Sequence, residues 1–390
     1  MRIGIFTDTY YPEINGVANS TYELKKGLEL LGHTVYIFTV SNPTASQETE
    51  AGVFRIASVP FPMLKERRIG CTMPKAWKRK IKKLHLDIIH TQTEFMMGHL
   101  GRKLANWLNI PHIHTYHTIY EDYLSYLHMP DKKCFRKVVR RFSRLCCNHA
   151  DEIIVPTKKV QELLGQYGVK KEVHVIPSGI SLDKFAKPDK KHVQELKLQL
   201  GIPEDKLVLL YIGRLSTEKN ITELLNLIHD TKNRKNLILL LVGDGPEREA
   251  LENQVKELEL EASVIFAGMA PFDNIEDYYA LGDIFVSAST SETQGLTYIE
   301  ALASGMPLLV RQDECLNGVL SEYENGVSYT DGTTFQKGLH YLSIHYGKNV
   351  QKTQIKESVA QLGRAGFAER VEHLYLQKIK KIIRQEKHAA

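Results

Sequence analysis

Asp283-Ile284-Phe285-Val286-Ser287-Ala288-Ser289-Thr290-Ser291-Glu292-Thr293-Gln294-Gly295-Leu296-Thr297-Tyr298-Ile299-Glu300 reads as a strand, a turn and the start of a helix. Residues 283–287 are short and apolar, as a parallel strand covered on both faces requires. From Thr297 to Ser304 the spacing becomes helical, with Leu296, Ile299, Leu302 and Ala303 on one face. A helix that begins just after such a strand points free backbone N–H groups at any anion above the sheet edge. Glu292 falls in the loop at its mouth and Glu300 about one turn inside. N–H groups suit a diphosphate; carboxylates suit sugar and ribose hydroxyls. The competing reading is two solvated glutamates beside a capping turn, and the spacing alone leaves both open.

The same alternation runs outward in both directions. Downstream of residue 200, strands are predicted at Leu207–Ile212, Asn236–Val242, Val264–Ala267, Ile284–Val286 and Pro307–Val310, with helices at Ile221–Ile228 and Glu247–Leu258. Upstream, residues 2–6 form a strand ending at Asp8, and a polar loop leads to Gly16. Val17–Leu31 has helical spacing, and strands follow at 34–39, 87–90, 112–114, 152–155 and 173–176. Strands alternating with helices give parallel sheets covered on both faces. The expected fold is therefore α/β, with two doubly wound Rossmann-like domains facing a central cleft. The boundaries are 1–180 for the first domain and 181–365 for the second. A C-terminal helix at 366–390 packs back on the first, and the link lies near Pro177-Ser178-Gly179-Ile180, followed by the polar stretch 187–195. Ligands in such sheets bind outside the strands' carboxyl ends.

The bulk numbers agree with a globular enzyme. The chain has 390 residues, too many for one ordinary domain, with 43% hydrophobic and 25% charged residues. Its apolar runs are strand length, well short of a membrane span. No secretory signal pattern opens the chain, and five cysteines without metal spacing fit a reduced, cytoplasmic setting. The net charge of +5 is uneven, since residues 1–180 carry 26 Lys and Arg against 16 Asp and Glu. A basic first half and an acidic second half imply an anionic partner on one side.

Arg214 and Lys219 fall in a loop after a predicted strand, where two cations can neutralise a diphosphate as it departs. Ordinary surface charge is the alternative; a P-loop is excluded because Gly213 lacks the Gly-Lys-Ser/Thr sequel. His117 comes just after the strand at 112–114. The histidines at 112, 114 and 117 lack a completing ligand, so a substrate contact or a satisfied buried imidazole are the readings. Gly16 could let the backbone approach a ligand closely.

Two segments explain the basic half. One, Lys65 to Lys83, holds Lys75, Lys78, Arg79 and Lys82 beside Trp77. The other, Lys132 to Arg144, sets Lys133, Arg136, Lys137, Arg140, Arg141 and Arg144 among apolar residues. Basic amphipathic helices lie on anionic membranes, yet they also serve as ordinary domain helices with a solvated face. Nucleic acid is disfavoured, because no recognised binding signature is present.

Together these residues resemble the GT-B glycosyltransferases of family GT4 over essentially the whole chain. The carriers are Asn15-Gly16-Val17, His117, Gly213-Arg214-Leu215 with Lys219, Gly243-Asp244-Gly245, and Glu292-x7-Glu300. The stretches Ser291–Gly305 and His117–Tyr123 are most similar to the bacterial 1,2-diacylglycerol 3-glucosyltransferase branch. Many members carry Glu-Gly-Phe-Gly where this chain has Thr293-Gln294-Gly295-Leu296.

The resemblance implies UDP-glucose as donor substrate, with no permanently bound cofactor and no metal. Glu300 would take the ribose and Glu292 the hexose. Gly16, Gly243, Asp244, Gly295, Leu296 and Thr297 would line the donor, Arg214 and Lys219 would steady departing UDP, and His117 would touch sugar or acceptor. It further implies retention of the anomeric configuration and an α-glucosyl lipid made from diacylglycerol by a peripheral enzyme at the inner face of the membrane. The other readings are a transferase for a polysaccharide or soluble acceptor, a UDP-sugar epimerase sharing the fold, and a non-enzymatic anion-binding protein.

Overall fold

The computed structural model describes residues 1–13, 15–43, 50–61, 64–71, 75–121, 133–345 and 352–389. They fall into two compact units. The first comprises Met1–Glu121, Asp131–Gly179 and Arg364–Ala390; the second includes Ile180–Gly363.

The first unit is built on a parallel sheet of β1 (Arg2–Phe6), β2 (Thr34–Val40), β3 (Val53–Ile56), β6 (Ile88–Thr91), β7 (His112–Thr115), β8 (Glu152–Val155) and β9 (Val173–Val175). The strand order is β3-β2-β1-β6-β7-β8-β9. Strands β4 (Ser58–Phe61) and β5 (Leu64–Gly70) form a separate antiparallel ribbon. Helices α1 (Gly16–Leu30), α2 (Lys75–Lys83), α3 (Met96–Leu108), α4 (Lys133–Asn148) and α5 (Lys158–Gln166) connect the strands. Strand alternation divides the core. Ile3, Ile5, Val35 and Ile37 enter one apolar cluster, while Phe6 and Phe38 enter another on the opposite face.

The second unit repeats the plan. Helices α6 (Leu182–Ala186) and α7 (Lys190–Leu200) lead into β10 (Leu207–Ile212), α8 (Ile221–His229), β11 (Leu237–Val242), α9 (Arg248–Glu257), β12 (Val264–Gly268) and α10 (Ile275–Tyr279). There follow β13 (Ile284–Ser287), α11 (Leu296–Ala303), β14 (Leu308–Arg311), β15 (Gly326–Tyr329), α12 (Gly332–His345) and α13 (Lys352–Glu357). The sheet order is β12-β11-β10-β13-β14-β15, all parallel. Every residue of β11 is buried, which is why this run reads as uninterrupted apolar sequence. In both sheets the chain starts in the middle, runs out to one edge, then crosses to the other side. The reversal falls between β1 and β6 in the first and between β10 and β13 in the second, and doubly wound sheets bind ligands at that point.

The last helix, α14 (Arg364–Ala389), returns to the first unit. Phe367, Ala368, Val371, Leu374 and Tyr375 join the cluster of Ile3, Ile5, Leu24 and Leu28. Gly27 of α1 makes the approach possible, since a Cβ there would stand 2.6 Å from Ala368 Cβ. Arg364 pairs with Glu23, and Lys378 donates to Glu152 at 3.0 Å. Truncating Leu374 to Ala would cost about 2–5 kcal/mol by the usual cavity penalty.

Four expectations need correction. The polar stretch 187–195 is not an open link, because residues 190–200 form α7. Asp189 caps that helix by accepting from Lys191 N and His192 N. The second sheet does not end at residue 310, since β15 adds an outer strand beside β14. The first sheet likewise gains β3. Residues 64–70 of the first basic segment are strand β5, and only Lys75–Lys83 are helical.

Candidate functional site

In the second unit, the loops leaving three neighbouring strands are knitted together by backbone. Gly213 N donates to Val242 O, Leu215 N to Asp244 O, and Gly243 N to Gly268 O at 2.7 Å. Gly243 has φ +136°, and a Cβ there would lie 1.9 Å from Gly213 O. A Cβ on Gly245 would lie 2.3 Å from Leu215 O. These two glycines therefore have a packing reason that the sequence reading lacked. Asp244 is exposed and accepts from Gly245 N.

The loops after β10 and β13 meet across the reversal point. Lys219 Nζ donates to Glu292 Oε1 at 2.5 Å, and Ser291 Oγ donates to Glu218 O at 3.2 Å. Both partners of the ion pair are half-buried, where a charge-assisted bond outweighs an exposed surface pair. Arg214, also half-buried, has its carbonyl held by Tyr211 Oη at 3.0 Å.

Gly295 opens α11 in the left-handed region, φ +70°, and a Cβ would stand 2.5 Å from Tyr298 Cδ2. The cap residue, being glycine, has no side chain to accept from the first N–H groups of this helix, where the positive end of the helix dipole lies. Glu300 is buried in the same helix and accepts from Tyr279 Oη at 2.6 Å. Burial, with the Glu300 carboxylate beside it, pushes the Tyr279 phenol well above its ordinary range, so it remains a donor. The structure thus brings Lys219, Glu292 and the Gly295 turn to one sheet edge. It adds Tyr279, which sequence reasoning missed because its partner is 21 residues away on another helix.

The first unit presents a different surface at its strand ends. Asp8, after β1, accepts from Met97 N and from Thr93 Oγ1. Burial pushes its carboxyl up to about 6. After β6 come Gln92 and Glu94, both buried. His117, after β7, binds Gln92 Oε1 through Nε2 at 2.7 Å. Glu94 contacts His114 Nε2 at 3.2 Å and accepts from Tyr120 Oη. Burial first, and His114 second, lower the His117 imidazole to about 3, so it is neutral at physiological pH. Gly16 is the first residue of α1, whose cap is Asn15 accepting from Ala18 N. Sequence reasoning missed Gln92 and Glu94 although both lie just past a predicted strand, which is the available signal.

The two basic segments differ. In α2, Ile81 is buried and Trp77 packs edge-on against Phe54, while Lys78, Arg79 and Lys82 are exposed. In α4, Arg136, Lys137, Arg140, Arg141 and Arg144 are exposed, and so are the apolar Val138 and Leu145, at 64% and 46%. Arg140 pairs with Glu121 at 2.6 Å. The side chains of Lys75 and Lys133, and residues 122 and 123, lie outside the described residues. Among the described residues, Glu152, Glu172 and His174 bring ligand-type atoms within 4.8 Å of one another. Glu152 begins β8 and His174 is the middle residue of β9, and Lys378 already pairs with Glu152. Among the described residues, no helix is long and apolar enough to cross a membrane.

Two doubly wound units with polar carboxyl edges define a GT-B architecture. Comparison with solved structures agrees. Sucrose-phosphate synthase from Thermosynechococcus elongatus superposes with a TM-score of 0.76 at 21% identity, covering 97% of this chain and 99% of the other. Anabaena HepE in complex with UDP-glucose gives 0.74 at 17% identity, covering 97% and 100%. Residues 14–184 match Glycosyltransferase Family 4 and residues 193–343 match Glycosyl transferases group 1. The alpha-monoglucosyldiacylglycerol synthase of Streptococcus pneumoniae is 40% identical over 97% of this chain and 86% of its own length. The enzyme of the same name from Acholeplasma laidlawii is 34% identical over 98% of each. The chain belongs to glycosyltransferase family 4 and is a sugar-nucleotide glycosyltransferase.

Proposed function

We propose that the chain moves glucose from UDP-glucose to the 3-hydroxyl of 1,2-diacylglycerol with retention, giving an α-monoglucosyl glycolipid. The observation that carries this reading is the 40% identity, along nearly the whole chain, to an enzyme named for that product. A solved relative of the same fold is described with UDP-glucose bound, which supports the choice of donor.

In this reading the second unit holds the donor. Glu300, steadied by Tyr279, accepts from the ribose hydroxyls, and Glu292 accepts from the hexose. The α11 N-terminus at Gly295, Leu296 and Thr297 receives the diphosphate. Gly243 and Asp244 border it, and Gly16 belongs to the donor set from the first unit. The C1–O bond to phosphate breaks while the glycerol oxygen bonds to C1 on the same face. The hydroxyl proton passes to the departing phosphate. Arg214 and Lys219 stabilise charge as it grows on UDP, a contribution of order 10²–10³ in rate per well-placed donor. His117 contacts the sugar or the acceptor.

The lipid is reached from a membrane surface. Helix α4 offers Arg136, Lys137, Arg141 and Arg144 beside exposed Val138 and Leu145, and α2 adds Lys78, Arg79 and Lys82. Basic residues with an apolar stripe suit an anionic bilayer. A cavity of about 440 Å³ lined by Arg144, Asn148, Gly168, Lys170 and Lys171 adds to that positive surface. This accords with a peripheral enzyme on the cytoplasmic face.

The test is a panel of radiolabelled UDP-sugars with diacylglycerol in anionic vesicles, followed by lipid extraction and determination of the product's anomeric configuration. An α-glucosyl lipid formed only with diacylglycerol is expected. Efficient transfer to a soluble acceptor without lipid product would refute the proposal.

A further inference from the structure

His117 stands at the end of a buried hydrogen-bonded chain that reaches the C-terminal helix. Its Nε2 meets Gln92 Oε1 at 2.7 Å; Gln92 Nε2 meets His90 Nε2 at 3.2 Å; His90 Nδ1 meets Tyr375 Oη at 2.6 Å. Thr115 Oγ1 also meets His90 Nε2, at 2.7 Å. Gln92, His90 and Tyr375 are all buried, and the Tyr375 ring packs edge-on against His90 at 5.7 Å. His117 is half-buried, and Nδ1 has no hydrogen-bond partner among the described residues.

Proton positions can be assigned from this pattern of donors and acceptors. His90 Nε2 faces two groups able to donate, the Thr115 hydroxyl and the Gln92 amide. The Gln92 amide sets its nitrogen against His90 Nε2 and its oxygen against His117 Nε2, so His90 Nε2 is the acceptor in the first contact. His90 therefore carries its proton on Nδ1, toward Tyr375. At the other end of the amide, the Gln92 oxygen facing His117 Nε2 demands a proton on that nitrogen.

We infer that Gln92, held by His90 and Tyr375, is a positioning residue that fixes His117 as the Nε2–H tautomer, so that the Nδ1 lone pair accepts a hydrogen bond from a substrate hydroxyl. This rests on the proposal that His117 touches the sugar or the acceptor. The ligand at Nδ1 is thus a donor, an O–H, and never a carbonyl or phosphate oxygen. Burial keeps the imidazole neutral, which preserves the lone pair. The lever is an amide because a carboxylate at residue 92 would raise the His117 pKa and let protonation remove the acceptor.

The test reads tautomer and catalysis separately. Long-range ¹H–¹⁵N spectra of the full chain, with ring-labelled histidine and His117 assigned by its loss in His117→Asn, report which nitrogen carries the proton. The Nε2–H form is expected, and the Nδ1–H form would overturn the inference whatever the activity. Kinetically, Gln92→Leu should lower kcat about tenfold, with the KM for UDP-glucose changed less than twofold. Gln92→Glu should recover most of kcat near pH 8 but gain an acid limb between pH 5 and 7 that the parent lacks. A Gln92→Glu profile parallel to that of the parent would also overturn the inference. If His117→Asn transfers glucose at the parent rate, the substrate-contact reading falls, while the spectra still decide the tautomer.

Discussion

The two sheets share a winding order yet end in opposite chemistry. At the carboxyl edge of the second, fixed charges face each other: Lys219 against Glu292, and Glu300 under Tyr279. At the edge of the first, His90 and His117 are held neutral by burial, and Gln92 links them. Charges suit a ligand that is itself charged and becomes more so on departure. Neutral acceptors suit hydroxyl groups, which require direction more than field strength. Under the proposed function, one backbone plan would serve a nucleotide diphosphate at one edge and an alcohol at the other through different residues in the loops that leave each strand.

Charge removal in the second unit should produce the largest effect. Lys219→Ala or Arg214→Ala is expected to lower kcat by about 10²–10³, measured as UDP release with vesicle-borne acceptor. A loss below tenfold would break the contrast. His117→Asn should cost about tenfold, because a neutral hydrogen bond is worth about 0.5–1.5 kcal/mol. Its effect should fall on kcat rather than on UDP affinity.

Backbone and acid responses should separate the units further. Gly295→Ala meets both a left-handed φ and the Tyr298 ring. It should lower the thermal midpoint, at a cost of about 1–3 kcal/mol, and weaken UDP binding. In the first unit, the folded chain refuses protons that the unfolded chain accepts near pH 6.5 on His90, His112 and His117. Stability must therefore fall as pH drops from about 6.5 toward 3, with each such proton worth about 1.4 kcal/mol per pH unit. Asp8, raised to about 6, opposes this between about pH 4 and 6, where the folded state is the one holding its proton. Three histidines against one aspartate leave a net loss on acidification, seen as a falling urea midpoint. His112→Asn should flatten that slope.

On α4 the effect should fall on membrane association and leave the chemistry untouched. Replacing Arg136, Lys137 and Arg141 by Gln should cut sedimentation with anionic vesicles by roughly fivefold per charge at low salt. UDP binding should be unaltered, and the difference should vanish at high ionic strength.

Much of this contrast was legible in the sequence. Ile284–Ser287, Gly295 and Glu300 announced a strand, a turn and a helix because period, punctuation and length are local signals. Arg214 and Lys219 could be placed by the rule that ligands gather at strand ends. The edge strands β3 and β15 escaped because short strands at a sheet margin lack the long apolar run of β11. The polar stretch 187–195 reads as following the link, not as a helix, because α7 buries only Leu196, and a mostly solvated helix reads as polar. Tyr279 and Tyr375 could not be found locally, since each acts on a partner far away in the chain. Gly243 reads as a donor contact and Gly245 as part of the family motif, and the structure gives both a backbone-packing reason that no spacing rule supplies.

The most direct test of the division of labour is calorimetric titration with UDP alone, free of hexose and lipid. Glu300→Ala should weaken UDP binding by about 10- to 100-fold, as loss of charge-assisted hydrogen bonds implies, while His117→Asn should leave it within about twofold. Equal losses in both variants, or a loss confined to His117→Asn, would contradict the assignment of the nucleotide to the second unit.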